Sequence, residues 1–335
     1  CINTITGTNT RPFVGSSGLS IQYAIMMGLV DHAMEHHVGK AIKFVVPPNC
    51  YGGTNDQARR VAASIDCVEV VDLPVDGDND MVQSIDAVLE QIAQQDAIAY
   101  SIAEIPTNPR VEVPDLEALK KVLSITRKTS NGEKAIAPVF ILDQTFCPNL
   151  HFLSDDATLS GVKAIAYASG SKFPSGGLCT AGYCIANKKG DVFTSKIALH
   201  LELCDNEATN IQYEILARQL PSMNQRIMDA YKNTREFVNF IEGYEYDIEF
   251  LNNFQFRIEG FDWERQTPMH VIESNKITTS FLCSVNLLAF SITISATATC
   301  LEAGSSNVEL ITSPLTVLCM SVTSSGLSSI SKTIK

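Results

Sequence analysis

Between Ile42 and Ala186 the chain alternates short apolar runs with amphipathic stretches, and that alternation restricts its fold more than any other feature. Ile42–Val46, Val68–Leu73, Ala97–Ala103, Pro138–Asp143, Ala164–Ser169 and Gly182–Ala186 read as strands. Residues 18–34, Asn55–Ser64, Met81–Gln94 and Asp115–Thr126 carry apolar residues at helical spacing. Pro114 and Asp115 mark the start of the last of these. Apolar strands separated by helices predict an α/β fold, a mostly parallel central sheet with helices on both faces. Ligands of such sheets sit at the carboxyl ends of the strands.

Ile197–Ile241 reads as largely helical. From Ile277 to Leu301 there is no charged residue, and from Ile277 to the end there is no Arg. The uncharged stretch is long enough for a membrane span. Its Ser, Thr and Asn286 content favours a run of strands instead. A tail that is not the native continuation, through a frameshift or mis-joining, is the third reading. The expected organisation is a large α/β domain over residues 1–200 with an incomplete N-terminus. A helical linker and smaller C-terminal domain follow over 201–335, with an atypical tail from about 277.

A chain of 335 residues, 45% hydrophobic, can build a core without metal or disulfide support. Ten scattered cysteines, none in a Cys-x-x-Cys pair, suit a reduced cytoplasmic protein. The net charge of -12 and the lack of a long basic run argue against nucleic acid and anionic membranes as partners. Adjacent His36 and His37 face different ways on a helix, so no metal site is expected. Cys179 and Cys184 read as ordinary thiols.

The polar signals fall where strands end. Ser169-Gly170-Ser171-Lys172 follows one strand and precedes a glycine-rich turn. Its lysine can form a Schiff base with an aldehyde, and its hydroxyls can bond a phosphate on the same ligand. Read alone, it is more readily a solvated loop lysine. Asp143 ends the strand PVFILD, where a carboxylate is costly unless paired. Asn108 lies between Pro106 and Pro109, which restrict its backbone. Gly15-Ser16-Ser17-Gly18 opens a helix whose free N–H groups attract phosphate. Tyr51-Gly52-Gly53-Thr54 offers an aromatic ring for stacking. Each has a plain structural alternative as a cap or turn.

In this order the segments S-S-G-L, Y-G-G-T, E-I-P-T-N-P, F-I-L-D-Q-T-F and S-G-S-K resemble the pyridoxal-phosphate (PLP) enzymes of cysteine and methionine metabolism. That family includes cystathionine gamma-synthase, the cystathionine lyases and methionine gamma-lyase. Its motifs are S-S-G-M, Y-G-x-T, E-x-P-x-N-P, D-N-T-F and S-x-S/T-K-Y. The resemblance covers roughly residues 13 to 240.

It implies the fold type I PLP-dependent transferase architecture with a smaller C-terminal domain. It implies that Lys172 carries PLP and shuttles protons, Asp143 pairs with the pyridine nitrogen, and Asn108 contacts the ring oxygen. Ser169, Ser171 and the amides of Gly18 and Leu19 would bind the phosphate. Tyr51 would stack on the ring and assist the leaving group. The implied activity is a lyase or transferase acting on a sulfur-containing or O-acylated amino acid by β/γ-elimination or replacement. A homodimer or homotetramer with shared active sites would follow.

Three departures temper this. No Tyr-x-Arg motif precedes the matched region; Arg11 stands in T-N-T-R-P-F. The stretch Phe173–Cys179 replaces the family's Gly-His and Asp. The tail lacks an Arg for the substrate carboxylate. They predict a divergent and catalytically impaired chain. A pseudoenzyme of the same fold, or another PLP reaction such as transamination or decarboxylation, are the alternatives.

Overall fold

The computed structural model describes residues 1–75, 80–107, 111–155 and 157–243, and strand segments between residues 255 and 333. The chain divides into two compact units. The first holds Cys1–Tyr244, Ile258–Ile272 and Ser284–Thr293; the second holds Glu245–Arg257, Glu273–Cys283 and Ile294–Lys335.

The first unit is built on a seven-stranded sheet: β1 (Phe13–Gly15), β2 (Ile42–Val46), β3 (Val68–Asp72), β4 (Ile98–Glu104), β5 (Val139–Asp143), β6 (Lys163–Ser169) and β7 (Gly182–Ala186). Their order across the sheet is β1-β7-β6-β5-β4-β2-β3. The five strands from β3 to β6 run parallel. β7 is antiparallel to both β6 and β1. Parallel pairs need crossover connections, and helices supply them: α2 (Gly18–His36), α3 (Gly52–Ser64), α4 (Met81–Gln94) and α5 (Leu116–Ser124). A short first helix, α1, spans Ile2–Thr6.

Strands β2, β4, β5 and β7 are buried on both faces, the edge strand β3 is partly exposed, and side chains alternate between two cores. Val45, Ala99, Phe140, Leu142, Ala166 and Tyr183 face one core with Ile85, Leu89 and Ile92 of α4 and Leu119 and Leu123 of α5. Phe44, Tyr100, Ile141, Ile165 and Tyr167 face the other with Ile21, Ile25 and Leu29 of α2 and Ala58 and Val61 of α3.

Helix α6 (Thr194–Leu203) covers α2. Gly28 permits this contact, since a Cβ there would lie 2.8 Å from the Ile197 nitrogen. That explains why α2 is apolar around so much of its circumference: it is sandwiched between sheet and helix. α7 (Asn210–Gln219) starts with a capping box between Thr209 and Gln212, and α8 (Met223–Gly243) follows.

The expected strands and helices therefore form, with ends that are exact or shifted by at most three residues. Among the helices and strands up to β7, two were not expected. α1 is a single turn, and β1 is three residues long, too short for either periodicity to register. The helical reading of Ile197–Ile241 corresponds to α6, α7 and α8, with breaks after Leu203 and Gln219.

In the tail, the uncharged stretch contains the strands β8 (Phe281–Leu287) and β9 (Phe290–Thr297), the outcome the composition favoured. In the second unit β10 (Ser306–Thr312), β11 (Thr316–Thr323) and β12 (Gly326–Thr333) form an antiparallel meander. Among the described residues no helix is long and apolar enough to cross a membrane.

Candidate active site

The sheet register brings the polar strand ends together. Glu104 of β4 is paired with Asp143 of β5, and Asp143 with Tyr167 of β6. Ser169, two residues beyond Tyr167, closes β6 opposite Gly182 of β7. Two buried carboxylates thus stand side by side at the carboxyl edge of a parallel sheet, 5% and 8% exposed for Glu104 and Asp143.

Each is held differently. Glu104 Oε1 accepts the backbone N–H of Tyr51 at 2.6 Å, at the start of α3. This bond fixes where the Y-G-G-T turn enters the site, a role that sequence reading did not give Glu104. Asp143 Oδ1 accepts the backbone N–H of Thr145 at 2.9 Å. Burial holds the Asp143 carboxyl above the usual carboxylate range, and hydrogen bonding from Thr145 and from the Tyr167 hydroxyl offsets this only in part. Among the described residues no Lys, Arg or His forms an ion pair with it.

Thr145 has a second task. Its Oγ1 accepts the backbone N–H of Ser169 at 2.9 Å, tying the turn after β5 to the end of β6. The sequence showed Thr145 only as a neighbour of Asp143; its role comes from pairing across strands.

The start of α2 packs directly on this edge. A Cβ on Gly18 would lie 3.2 Å from the Ser169 Cα and Cβ. A Cβ on Gly182 would lie 2.4 Å from the Ser17 carbonyl oxygen. Glycines at both positions let the helix N-terminus, strand β6 and strand β7 meet. Ser17 caps α2 by accepting the Ser20 N–H at 3.0 Å. The first-turn N–H groups of Gly18 and Leu19, like those of any helix, have no acceptor within the helix. Leu19 and the Tyr51 ring flank Gly53, where a Cβ would lie 3.0 Å and 2.7 Å from them. Tyr51 is 53% exposed, with its ring available on the surface.

Lys172 is exposed, on the turn that leaves β6, with Ser171 half-buried before it. That turn is compact. Ser175 is fully buried; its N–H donates to Gly170 O at 3.0 Å and its hydroxyl to Cys179 O at 3.1 Å. Gly176 and Gly177 adopt φ of 62° and 79°, which favours glycine. The turn is also pinned from α8. Arg226 donates to Phe173 O and, at 2.8 Å, to Gln219 O. Its guanidinium therefore grips the backbone one residue beyond Lys172. No local pattern marked Arg226, because it lies 54 positions from the lysine.

Of the residues expected at a site, Gly18, Leu19, Tyr51, Asp143 and Ser169 gather at this edge, and Ser171 and Lys172 occupy the turn that extends from it. Asn108 lies outside the described residues. No group of three or more His, Cys, Asp or Glu side chains suited to a metal occurs among the described residues.

No protein-family model matches the chain, and no curated protein matches it. Solved structures do. The cystathionine gamma-synthase of Xanthomonas oryzae pv. oryzae, solved with cystathionine, matches with a TM-score of 0.52 at 15% identity over 78% of this chain and 56% of that one. The cystathionine gamma-lyase of Micromonospora echinospora matches at 0.48 and 18% identity over 67% of this chain and 50% of its own. The yeast cystathionine gamma-lyase matches at 0.49 and 17% over 66% and 48%. The chain spans about half the length of these enzymes. At these identities the likeness is one of fold. The α/β architecture expected from the sequence is the one found in this cystathionine gamma-synthase.

Proposed function

We propose that the chain belongs to the PLP-dependent enzymes of cysteine and methionine metabolism and acts as a lyase or transferase on a sulfur-containing or O-acylated amino acid. The observation that carries this is the buried Asp143 at a parallel-sheet edge, lacking an ion-pair partner among the described residues, with a lysine-bearing turn leaving the neighbouring strand β6. The residues suit the cofactor. A desolvated carboxylate fits a protonated ring nitrogen, which would supply a cation for it. A helix N-terminus packed against Ser169 fits a phosphate.

In this reading Lys172 Nζ holds the cofactor and moves the proton at the substrate α-carbon. Asp143 keeps the ring nitrogen protonated. The amides of Gly18 and Leu19, with the hydroxyls of Ser169 and Ser171, bind the phosphate. Tyr51 covers the ring, and Asn108 meets its oxygen. Bound there, PLP supplies an electron sink that stabilises negative charge at the α-carbon. Glu104, Thr145 and Arg226 act at one remove, by fixing Tyr51, Ser169 and the lysine turn. A homodimer or homotetramer with shared sites, in the cytoplasm, completes the proposal.

The test is a product assay. The PLP-loaded chain is incubated with cystathionine and with O-acylated homoserine plus cysteine, and 2-oxo acids, thiols and new thioethers are measured. Thiol or 2-oxo acid release supports elimination, and a new thioether supports replacement. Decarboxylated or transaminated products alone would overturn the assignment.

A further inference from the structure

The residue behind Asp143 is a tyrosine whose hydroxyl has two acceptors within reach and only one proton to give. Tyr167 sits beside Asp143 in the β5–β6 register and is 2% exposed. Its hydroxyl donates to Gln22 Oε1 at 3.1 Å. The same Gln22 oxygen accepts the Thr54 hydroxyl at 2.9 Å, and Gln22 Nε2 reaches Thr54 O at 3.4 Å. Gln22 lies in the second turn of α2 and Thr54 in the first turn of α3. The network therefore joins the two helix starts that frame the site to the strand that leads to Lys172.

We propose that Tyr167 is a positioning residue for Asp143. Its hydroxyl lies within hydrogen-bond reach of both Gln22 and the Asp143 carboxyl in the free protein, and it commits its proton to the carboxylate when the cofactor's ring nitrogen pairs with that group. This rests on the assignment of Asp143 to that nitrogen. The physical reason is competition for one proton. A phenol donates a single hydrogen bond. An ionised carboxylate is a stronger acceptor than an amide carbonyl, whereas a neutral carboxyl is not. With no cation paired to it among the described residues, burial raises the Asp143 carboxyl above the usual carboxylate range, which weakens its claim on the phenol proton against that of Gln22. With the ring cation present the carboxylate is charged, and the hydroxyl supports it from the protein side. Phenylalanine would fill the same core space without this ability.

The test is titration of PLP into wild type, Tyr167→Phe and Gln22→Met, followed by the cofactor's visible absorbance. Tyr167→Phe is expected to bind PLP roughly tenfold more weakly, as loss of a hydrogen bond to a charged group implies. Gln22→Met is expected to stay within about threefold of wild type, because the phenol still reaches the carboxylate. A Phe variant that binds as tightly as wild type overturns the proposal. So does an equal loss in both variants, which marks the network as structural. If Tyr167→Phe fails to fold, Gln22→Met decides: affinity near wild type supports the proposal, and a tenfold loss overturns it. Wild type that binds no PLP overturns the reading of the site, and this step with it.

Discussion

At the scale of single residues, the site is a set of polar groups held by backbone contacts that other polar groups supply. Asp143 illustrates the cost. Its carboxyl is raised by burial, so the folded, cofactor-free protein binds a proton there more tightly than the unfolded chain does. Between the unfolded and the raised folded pKa, the folded state holds more protons, and stability falls as pH rises through that window. Asp143→Asn is therefore expected to raise the melting temperature of the cofactor-free protein at neutral pH while abolishing PLP binding. Thermal melting and absorbance on the same sample check both halves, and a variant that melts lower contradicts the sign. Thr145→Val removes the acceptor of the Ser169 N–H, and stability should drop by about 1–3 kcal/mol, read by denaturant unfolding. Lys172, Asp143, Ser169 and Gly18 were legible in the sequence because each falls in a contiguous motif. Thr145 and Glu104 stand inside those motifs, but their bonds run across strands, and only the register reveals them.

At the scale of elements, the site depends on how closely α2 meets the sheet and how firmly α8 holds the lysine turn. Gly182→Ala would push a methyl into the Ser17 carbonyl, 2.4 Å from the new Cβ. The expected result is a loss of about 1–3 kcal/mol together with weaker PLP binding, because the strain falls on the helix start. Unchanged melting and affinity would show that the helix start moves freely there. Arg226→Ala removes one hydrogen bond to the carbonyl of Phe173 and with it the grip on the turn. PLP affinity should fall several-fold while the far-UV spectrum stays the same, since α8 keeps its other contacts. Strands β2 to β7 and helices α2 to α5 were legible because periods of 2 and 3.6 repeat over enough residues to be seen. β1 was not, since three residues carry no period; its place at the edge comes from pairing with β7. α2 was found from its Gly/Ser start although it is apolar nearly all round, a consequence of α6 packing on it that no local window contains.

At the scale of the whole molecule, a parallel sheet with its polar residues at one edge is the setting in which the five ordered motifs make chemical sense together. The sequence order of those motifs was enough to anticipate the fold. Arg226 was out of reach, because a residue that acts through the backbone of a distant turn leaves no local pattern. The account's central claim is that this edge holds PLP through Lys172. The most direct measurement is the visible absorbance of the purified chain with PLP, beside that of Lys172→Ala. The account predicts a yellow protein-bound band in wild type that is absent from the variant, with both chains folded by circular dichroism. A folded wild-type chain without that band, or an identical band in the variant, would contradict it.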